Sequence, residues 1–358
     1  MTEPLAPGAV IGILGGGQLG RMLAVAAARL GFRSHVFEPE PDCPASHMCD
    51  RVTKAPYSDI EALSEFARSV DVVTFEFENI PATARDTIER HVHVRPPRKA
   101  LTVSQDRLKE KEFLTRLGLS TAPFCAVTTD DDLARAIGFT GLPAILKTRR
   151  LGYDGKGQVR ITGRAEAAGA LASMNGADAI LEGLVPFEAE ISVIGARGRD
   201  GRVVCFDPGE NVHKDGILRT TTVPASLSLA QSTDAVIIAG RILNALDYVG
   251  VLGVELFVTG TGFVVNEFAP RVHNSGHWTQ NACLVDQFEQ HIRAIAGWPL
   301  GDGQRHSDVT MTNLIGDEVT NAVVLAADPA VALHLYGKTD IRDGRKMGHV
   351  NRLMGKPD

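Results

Sequence analysis

The apolar run Val10-Ile11-Gly12-Ile13-Leu14 breaks into Gly15-Gly16-Gly17-Gln18-Leu19-Gly20 and passes at once into a helical pattern that closes at Gly31. A strand feeding a helix packs back onto its sheet only as a right-handed crossover, so this order leaves few folds open. Residues 34–38, a helix over about 59–69 and an apolar run at 71–77 continue the alternation. The first segment is therefore expected to be a Rossmann-like parallel sheet ending near Val94-Arg95-Pro96-Pro97. Gly15-x-Gly17-x-x-Gly20, with Glu38 at the end of the next strand, also satisfies a dinucleotide fingerprint. Amides at a helix N-terminus can hold phosphate. Three uses stay open: NAD, another phosphate-bearing ligand, or close packing of helix on strand.

A chain of 358 residues exceeds what one core organises, and two or three domains are expected. Its 44% hydrophobic and 22% charged residues are those of a soluble globular protein. A net charge of −6 argues against general nucleic-acid affinity. The five cysteines (43, 49, 125, 205 and 283) form no Cys-x-x-Cys pair, which argues against a disulfide framework or structural zinc and fits a reducing cytoplasm. The first residues lack a signal-peptide pattern, and no apolar run reaches the roughly 18 residues that span a bilayer.

A charged helix, Gln105-Asp106-Arg107-Leu108-Lys109-Glu110-Lys111, ends near Gly118. Residues 123–195 read as a small α+β unit with helices at 130–138 and 164–174 and strands at 144–147 and 179–182. Antiparallel strands follow at 189–223, then an amphipathic helix at 228–247 and two apolar strands near 251–258 and 263–267. Glu255 and Glu267 each interrupt one of those two strands. With a turn centred on Thr261 they lie opposite each other on one sheet face, where two carboxylates repel unless a cation sits between them or one is protonated. A magnesium ion shared with nucleotide phosphates, with Asn266 as a neutral oxygen ligand, answers this; exposed edge carboxylates are the plain alternative.

Directly after Glu267 come Arg271, His273, Asn274 and Ser275. Acid followed by base suggests a cation site beside an anion site, as phosphoryl transfer requires, although a solvated loop accounts for the same residues. Lys147 precedes a glycine-rich stretch, Gly152-Tyr153-Asp154-Gly155-Lys156-Gly157-Gln158. No Ser or Thr follows a Gly-Lys, so this is not a P-loop. It reads as a flap whose amides close over polyphosphate while Lys147 reaches a phosphate, or as a hairpin turn beside an exposed lysine. Glu182-Gly183-Leu184-Val185, with Glu190 beyond, offers backbone groups for an adenine edge and a carboxylate for a ribose, or is a solvated strand end. Glu76 and Glu78 share parity at the end of a parallel strand, where ligands of open sheets collect; one or both face a substrate, or serve as a helix cap. The tail around Lys338, Arg345 and Lys346 suits a phosphate monoester or a solvated basic terminus.

These pieces resemble the ATP-grasp superfamily, and within it the N5-carboxyaminoimidazole ribonucleotide synthetase family of purine biosynthesis. The shared segments are GILGGGQLGRM, TFEFENIP, QDRLKEK, LKTRRLGYDGKGQ, NEFAPRVHNSGHWT and GRKMGHVN, between residues 11 and 351. The resemblance implies a mixed α/β and α+β architecture. A Rossmann-like domain would occupy 1–104, an ATP-grasp domain 105–297 with its flap subdomain at about 123–195, and a small C-terminal domain 298–358. It implies ATP contacts from Arg107, Lys147, residues 152–158, Glu182, Gly183, Leu184, Val185, Glu190, His213, Asn266 and Glu267, with magnesium on Glu255 and Glu267. Aminoimidazole ribonucleotide and bicarbonate would fall to Gln18, Leu19, Glu76, Tyr153, Asp154, Arg271, His273, Asn274, Ser275, Lys338 and Arg345. The implied reaction forms a carbon–nitrogen bond at the 5-amino group of that ribonucleotide, through carboxyphosphate or carbon dioxide released from it, in a cytoplasmic homodimer. Lys156 stands where the family commonly has arginine and Asp343 where it commonly has proline; lysine keeps the charge but loses bidentate geometry. Rival readings are a ligase of the glycinamide ribonucleotide transformylase or biotin carboxylase type, an NAD-dependent oxidoreductase, and a silent nucleotide-binding regulator. The oxidoreductase leaves Lys147, the flap and the paired glutamates without a role.

Overall fold

The structure, a computed structural model, describes residues 3–152 and 157–355. Four parallel strands open it: β1 (Val10–Leu14), β2 (Arg33–Phe37), β3 (Arg51–Thr53) and β4 (Val72–Phe75), in the order β3-β2-β1-β4. Between neighbours on both sides, β1 is buried from Ile11 to Leu14, and that position demands an unbroken apolar run. β3 is only three residues long and half-exposed at the sheet edge, too short for periodicity to betray it. β4 stops at Phe75, so Glu76 and Glu78 belong to the loop beyond the sheet.

Antiparallel strands β5 (Phe124–Val127), β6 (Ala144–Thr148), β7 (Gln158–Ile161) and β8 (Ala179–Gly183) form a second sheet in the order β5-β8-β6-β7. The glycine-rich stretch joins β6 to β7. The helix expected over 164–174 is broken. Arg164–Ala167 ends where Ala168 turns extended and Gly169 takes φ +84°, and a 3-10 turn, Ala172–Met174, follows. Gly169 bears that left-handed backbone without a Cβ penalty, and the chain exits the helix there.

The third sheet holds nine strands: β9 (Ala189–Arg197), β10 (Val203–Cys205), β11 (Gly209–Lys214), β12 (Ile217–Val223), β13 (Gly250–Thr259), β14 (Gly262–Ala269), β15 (Asp308–Ile315), β16 (Val331–Leu335) and β17 (Lys346–Met354). Its order is β14-β13-β9-β11-β12-β15-β17-β16, with β10 on the free flank of β9. The C-terminal strands thus continue the central sheet through the β12–β15 pairing. Helix Leu229–Ala245, held at its start by a Ser228–Gln231 capping box, lays Ala235, Ala239, Ile242 and Leu243 on this sheet. Helix Gln287–Ala296 is buried along almost its whole length between the central sheet and helix Gln18–Arg29. His291 ties the first sheet to the third: its Nδ1 accepts the Val251 N–H at 3.0 Å, and its Nε2 lies 2.7 Å from the Thr74 hydroxyl. Among the described residues no helix is long and apolar enough to cross a membrane.

Candidate active site

Glu255 and Glu267 pair directly across β13 and β14, and a bulge puts them there. The turn is two residues long, with Thr259 opposite Gly262, and Leu256 pairs with Val265. Asn266 is the extra residue that brings Glu267 back opposite Glu255. Burial first, and Glu267 second, push the Glu255 carboxyl up to about 7. Arg107 Nη1 reaches Glu267 Oε2 at 3.3 Å, and its Nη2 donates to the Gly152 carbonyl at 2.9 Å. One guanidinium therefore links the hairpin to the start of the glycine-rich stretch.

Beyond Glu255 the polar line continues. His273 Nε2 lies 3.4 Å from Glu255 Oε1, and His273 Nδ1 is 2.8 Å from the Ser275 hydroxyl. Burial and then Arg271 hold the His273 imidazole well below its ordinary range, so it is neutral at pH 7. Gln287 grips the backbone of His273 from both sides, accepting its N–H at 2.9 Å and donating to its carbonyl at 2.8 Å. Both side-chain polar atoms of Asn274 are buried with no partner among the described residues. Such an amide is costly unless a ligand completes it. His213 Nδ1 lies 2.5 Å from Glu190 Oε2 on the neighbouring strands; burial opposes the imidazolium, but Glu190 outweighs it and raises its pKa.

Arg271 forms a fork on Glu78, with Nε to Oε2 at 2.6 Å and Nη2 to Oε1 at 3.4 Å. Burial alone would raise the Glu78 carboxyl, yet Arg271 brings it below the usual range. Glu76, two residues earlier, does something else. It accepts the amides of Gly17 and, at 2.7 Å, of Gly20, while Glu38 accepts the Gly16 amide at 2.6 Å. A Cβ added at Gly17 would meet Glu76 Oε1 at 2.5 Å. The cradle that a dinucleotide pyrophosphate would need is filled by the chain's own carboxylates. Of the three uses left open for the fingerprint, NAD binding is thereby without a seat.

Lys147 Nζ lies 3.0 Å and Lys111 Nζ 3.5 Å from Glu182 Oε2. Burial would raise Glu182, but Lys111 and then Lys147 hold it below the usual range. Gly183 and Leu184 follow on β8 and just after it, where the Leu184 amide donates to the Pro143 carbonyl and its side chain faces outward beside Val185. Gln158 pairs with Lys147 across β6 and β7, and Gly157 sits against Thr148. Tyr153, Asp154, Gly155 and Lys156 lie outside the described residues.

Lys338 donates to the Lys346 carbonyl at 2.8 Å. Burial and then Arg345 lower its pKa to about 8, and Glu76 is near enough to oppose them. Arg345 reaches the carbonyl and carboxylate of Asp340. Gln18 starts its helix half-buried, whereas the Leu19 side chain belongs to the core and has only its backbone to offer a ligand. Sequence reasoning passed over two residues of the charged helix. Glu110 and Lys111 are buried: Glu110 accepts the Phe268 N–H at 2.7 Å, and Lys111 donates to the Asn266 carbonyl at 2.7 Å. Burial and then Glu267 push Glu110 up to about 8.

A ribonucleotide synthetase preATP-grasp domain model matches residues 9–105, an ATP-grasp domain model 112–288, and a phosphoribosylaminoimidazole carboxylase C-terminal domain model 309–356. An N5-carboxyaminoimidazole ribonucleotide synthase from Brucella melitensis is 54% identical over 352 residues, covering 98% of this chain and 97% of the relative. The chain belongs to this synthase family. An N5-carboxyaminoimidazole ribonucleotide synthetase crystallised as its ADP complex superposes with a TM-score of 0.96 at 40% identity, covering 99% of this chain and 95% of that one. The Aspergillus clavatus family member, solved with ADP and 5-aminoimidazole ribonucleotide, gives a TM-score of 0.91 at 30% identity and covers 97% and 94% of the two chains. The protein is accordingly an ATP-grasp ligase with a preATP-grasp domain in front and the family's C-terminal segment behind.

Proposed function

We infer that this site carries out the reaction of its family: ATP- and bicarbonate-dependent carboxylation of the 5-amino group of 5-aminoimidazole ribonucleotide, releasing ADP and phosphate in purine biosynthesis. The polar line from Gly152 through Arg107, Glu267, Glu255 and His273 to Ser275 is the observation that supports it, since it sets a paired-acid site beside cationic and hydrogen-bonding groups.

Glu255 and Glu267 fit a magnesium ion. Two opposed carboxylates, one pushed up to about 7 by burial and its neighbour, are relieved by a cation, and a hard cation completes its shell with water and phosphate oxygens. When bound, the ion supplies neutralisation of phosphate charge. In the proposed sequence a bicarbonate oxygen attacks the γ-phosphorus, the bond to the bridging oxygen breaks, and ADP leaves with that electron pair. The ribonucleotide's amine then attacks the carboxyl carbon of carboxyphosphate, phosphate departs, and the amine loses a proton. Arg271, held by Glu78, presents its remaining donors to bicarbonate and then carboxyphosphate. Neutral His273 with Ser275, and the unpartnered Asn274 amide, orient that anion. Lys147 and Arg107 approach the nucleotide phosphates, with Glu182 to Val185, Glu190 and His213 around the nucleoside and Asn266 beside Glu267. Gly152, Gly157, Gln158 and the intervening Tyr153, Asp154, Gly155 and Lys156 are the proposed contacts to the ATP phosphates, and Asp154 is the candidate to hold or deprotonate the amine. Glu76, Gln18 and the Leu19 backbone face the ribonucleotide, and Lys338 and Arg345 take its 5′-phosphate.

The proposed division is 1–104, 105–297 and 298–358, and the proposed assembly a cytoplasmic homodimer; light scattering at micromolar concentration tests the latter. The decisive assay is phosphate release. It should need both bicarbonate and the ribonucleotide, and an ATPase indifferent to the ribonucleotide would sink the reading.

A further inference from the structure

We propose that Glu110 and Lys111 are positioning residues that fix the direction of the Glu267 carboxylate by clamping the β14 bulge from outside the sheet. The proposal rests on the reading of Glu267 as a magnesium ligand. β14 is an edge strand, with β13 as its only neighbour in the sheet order among the described residues. Its outer side is met by Ser120 and Thr121, with the Val265 N–H donating to the Ser120 carbonyl at 2.8 Å, and next to them by the helix Arg107–Arg116. Glu110 Oε1 accepts the Phe268 N–H at 2.7 Å and Lys111 Nζ donates to the Asn266 carbonyl at 2.7 Å. The two grips flank Glu267 on either side. They act on backbone atoms, so they set where the strand runs and leave the carboxylate itself free for a ligand.

The bulge makes that grip consequential. Leu256 pairs with Val265 and Glu255 with Glu267, so Asn266 is the residue without an opposite number. If the bulge relaxed into regular pairing, Asn266 would stand opposite Glu255 and Glu267 would turn to the other face, because side chains alternate with period two. Bulges need something that over-determines them; Ser120 holds Val265 ahead of the bulge, and the helical turn holds Asn266 and Phe268 around Glu267. That turn is itself anchored: Asp106 caps it at the Leu108 N–H and binds Arg149 at 3.1 and 2.7 Å at the end of β6. From the same turn Arg107 reaches the Glu267 carboxylate. Glu110 and Lys111 are only 3% and 2% exposed, a burial that a helix placing charges for solubility would not show. Lys111 also lies 3.5 Å from Glu182 on β8, so the clamp shares that carboxylate with Lys147.

The test compares Glu110→Leu, Glu110→Gln, Lys111→Met and Glu267→Gln with the parent. Two readouts need no turnover: Mn2+ binding in the presence of ADP, followed by paramagnetic resonance of the free ion, and hydrogen exchange over residues 262–269. Glu110→Leu and Lys111→Met should weaken Mn2+ binding about 10-fold or more, the usual cost of removing a group that orients a ligand. Both should speed exchange over 262–269 while leaving metal-free ADP binding near that of the parent. Glu110→Gln keeps the acceptor and should behave as the parent does. Parent-like Mn2+ binding in Glu110→Leu and Lys111→Met, with binding lost in Glu267→Gln, overturns the clamp and spares the metal reading. Parent-like binding in Glu267→Gln overturns the metal reading itself. A Glu110→Gln chain as weak as Glu110→Leu also overturns the clamp, by showing that charge and not the acceptor is what matters. Should Glu110→Leu fail to fold, Lys111→Met alone decides.

Discussion

The glycine turn at Gly15–Gly20 and the acidic hairpin β13–β14 both present charge at strand ends, and they have opposite needs. At the turn, the amides of Gly16, Gly17 and Gly20 are already taken by Glu38 and Glu76. At the hairpin, Glu255 faces Glu267 with a guanidinium on only one of them, and its carboxyl is driven up to about 7. A motif whose partners lie within the chain is closed to the ligand its pattern advertises. One with like charges opposed is open to the ligand that separates them. Partner accounting therefore separates the two where the motifs alone do not.

The hairpin side of the contrast should break hardest. Glu267→Gln is expected to lower kcat for phosphate release about 10³-fold, roughly 4 kcal/mol of transition-state stabilisation, and to raise the magnesium requirement; a full-rate enzyme would move the metal elsewhere. Next comes Arg271→Met, which strands Glu78 without its fork. Urea unfolding should show a loss of about 3 kcal/mol, and Arg271→Lys should restore only part of the activity because it cannot grip bidentately. The third effect is one of pH. Lys338, at about 8 in the free enzyme, is cationic below that value and neutral above it. The hold proposed for it on a 5′-phosphate should therefore fade as pH rises. At pH 9, kcat/KM for the ribonucleotide should be about 10-fold lower through this group alone. Lys338→Arg, which stays charged, should push that falling limb upward. The smallest effect belongs to the turn: Glu76→Gln keeps one acceptor for two amides and should cost about 1 kcal/mol in thermal unfolding. A titration of that variant should still find no NAD binding; uptake of NAD would mean that the turn is an open phosphate cradle after all.

Much of this was legible in the residues. The strand–turn–helix start gave the parallel sheet, and the two interrupted apolar strands gave the opposed glutamates. The register was reached by another route than a turn centred on Thr261: a two-residue turn shortens the hairpin and Asn266 restores the pairing. A bulge depends on what holds the strand from outside, and the Glu110 and Lys111 grips lie more than 150 residues earlier in the chain. Glu76 and Glu78 shared a parity that would have sent them the same way, but β4 ends at Phe75 and period-two reasoning ends with it. The Leu19 side chain lies in the core, because the first turn of its helix buries that face, which leaves its backbone for the contact proposed with the ribonucleotide. Nothing in the charged helix marks Glu110 and Lys111 as buried, since the groups that pair with them (Phe268, Asn266 and Glu182) are remote in sequence.

Crystals of the protein grown with ADP and Mn2+, measured at the manganese edge, test the central contrast most directly. An anomalous peak is expected between Glu255 and Glu267 beside the ADP phosphates, with Glu76 still on the amides of Gly17 and Gly20. Phosphates seated on the Gly15–Gly20 turn with Glu76 displaced, and no metal at the hairpin, would contradict it.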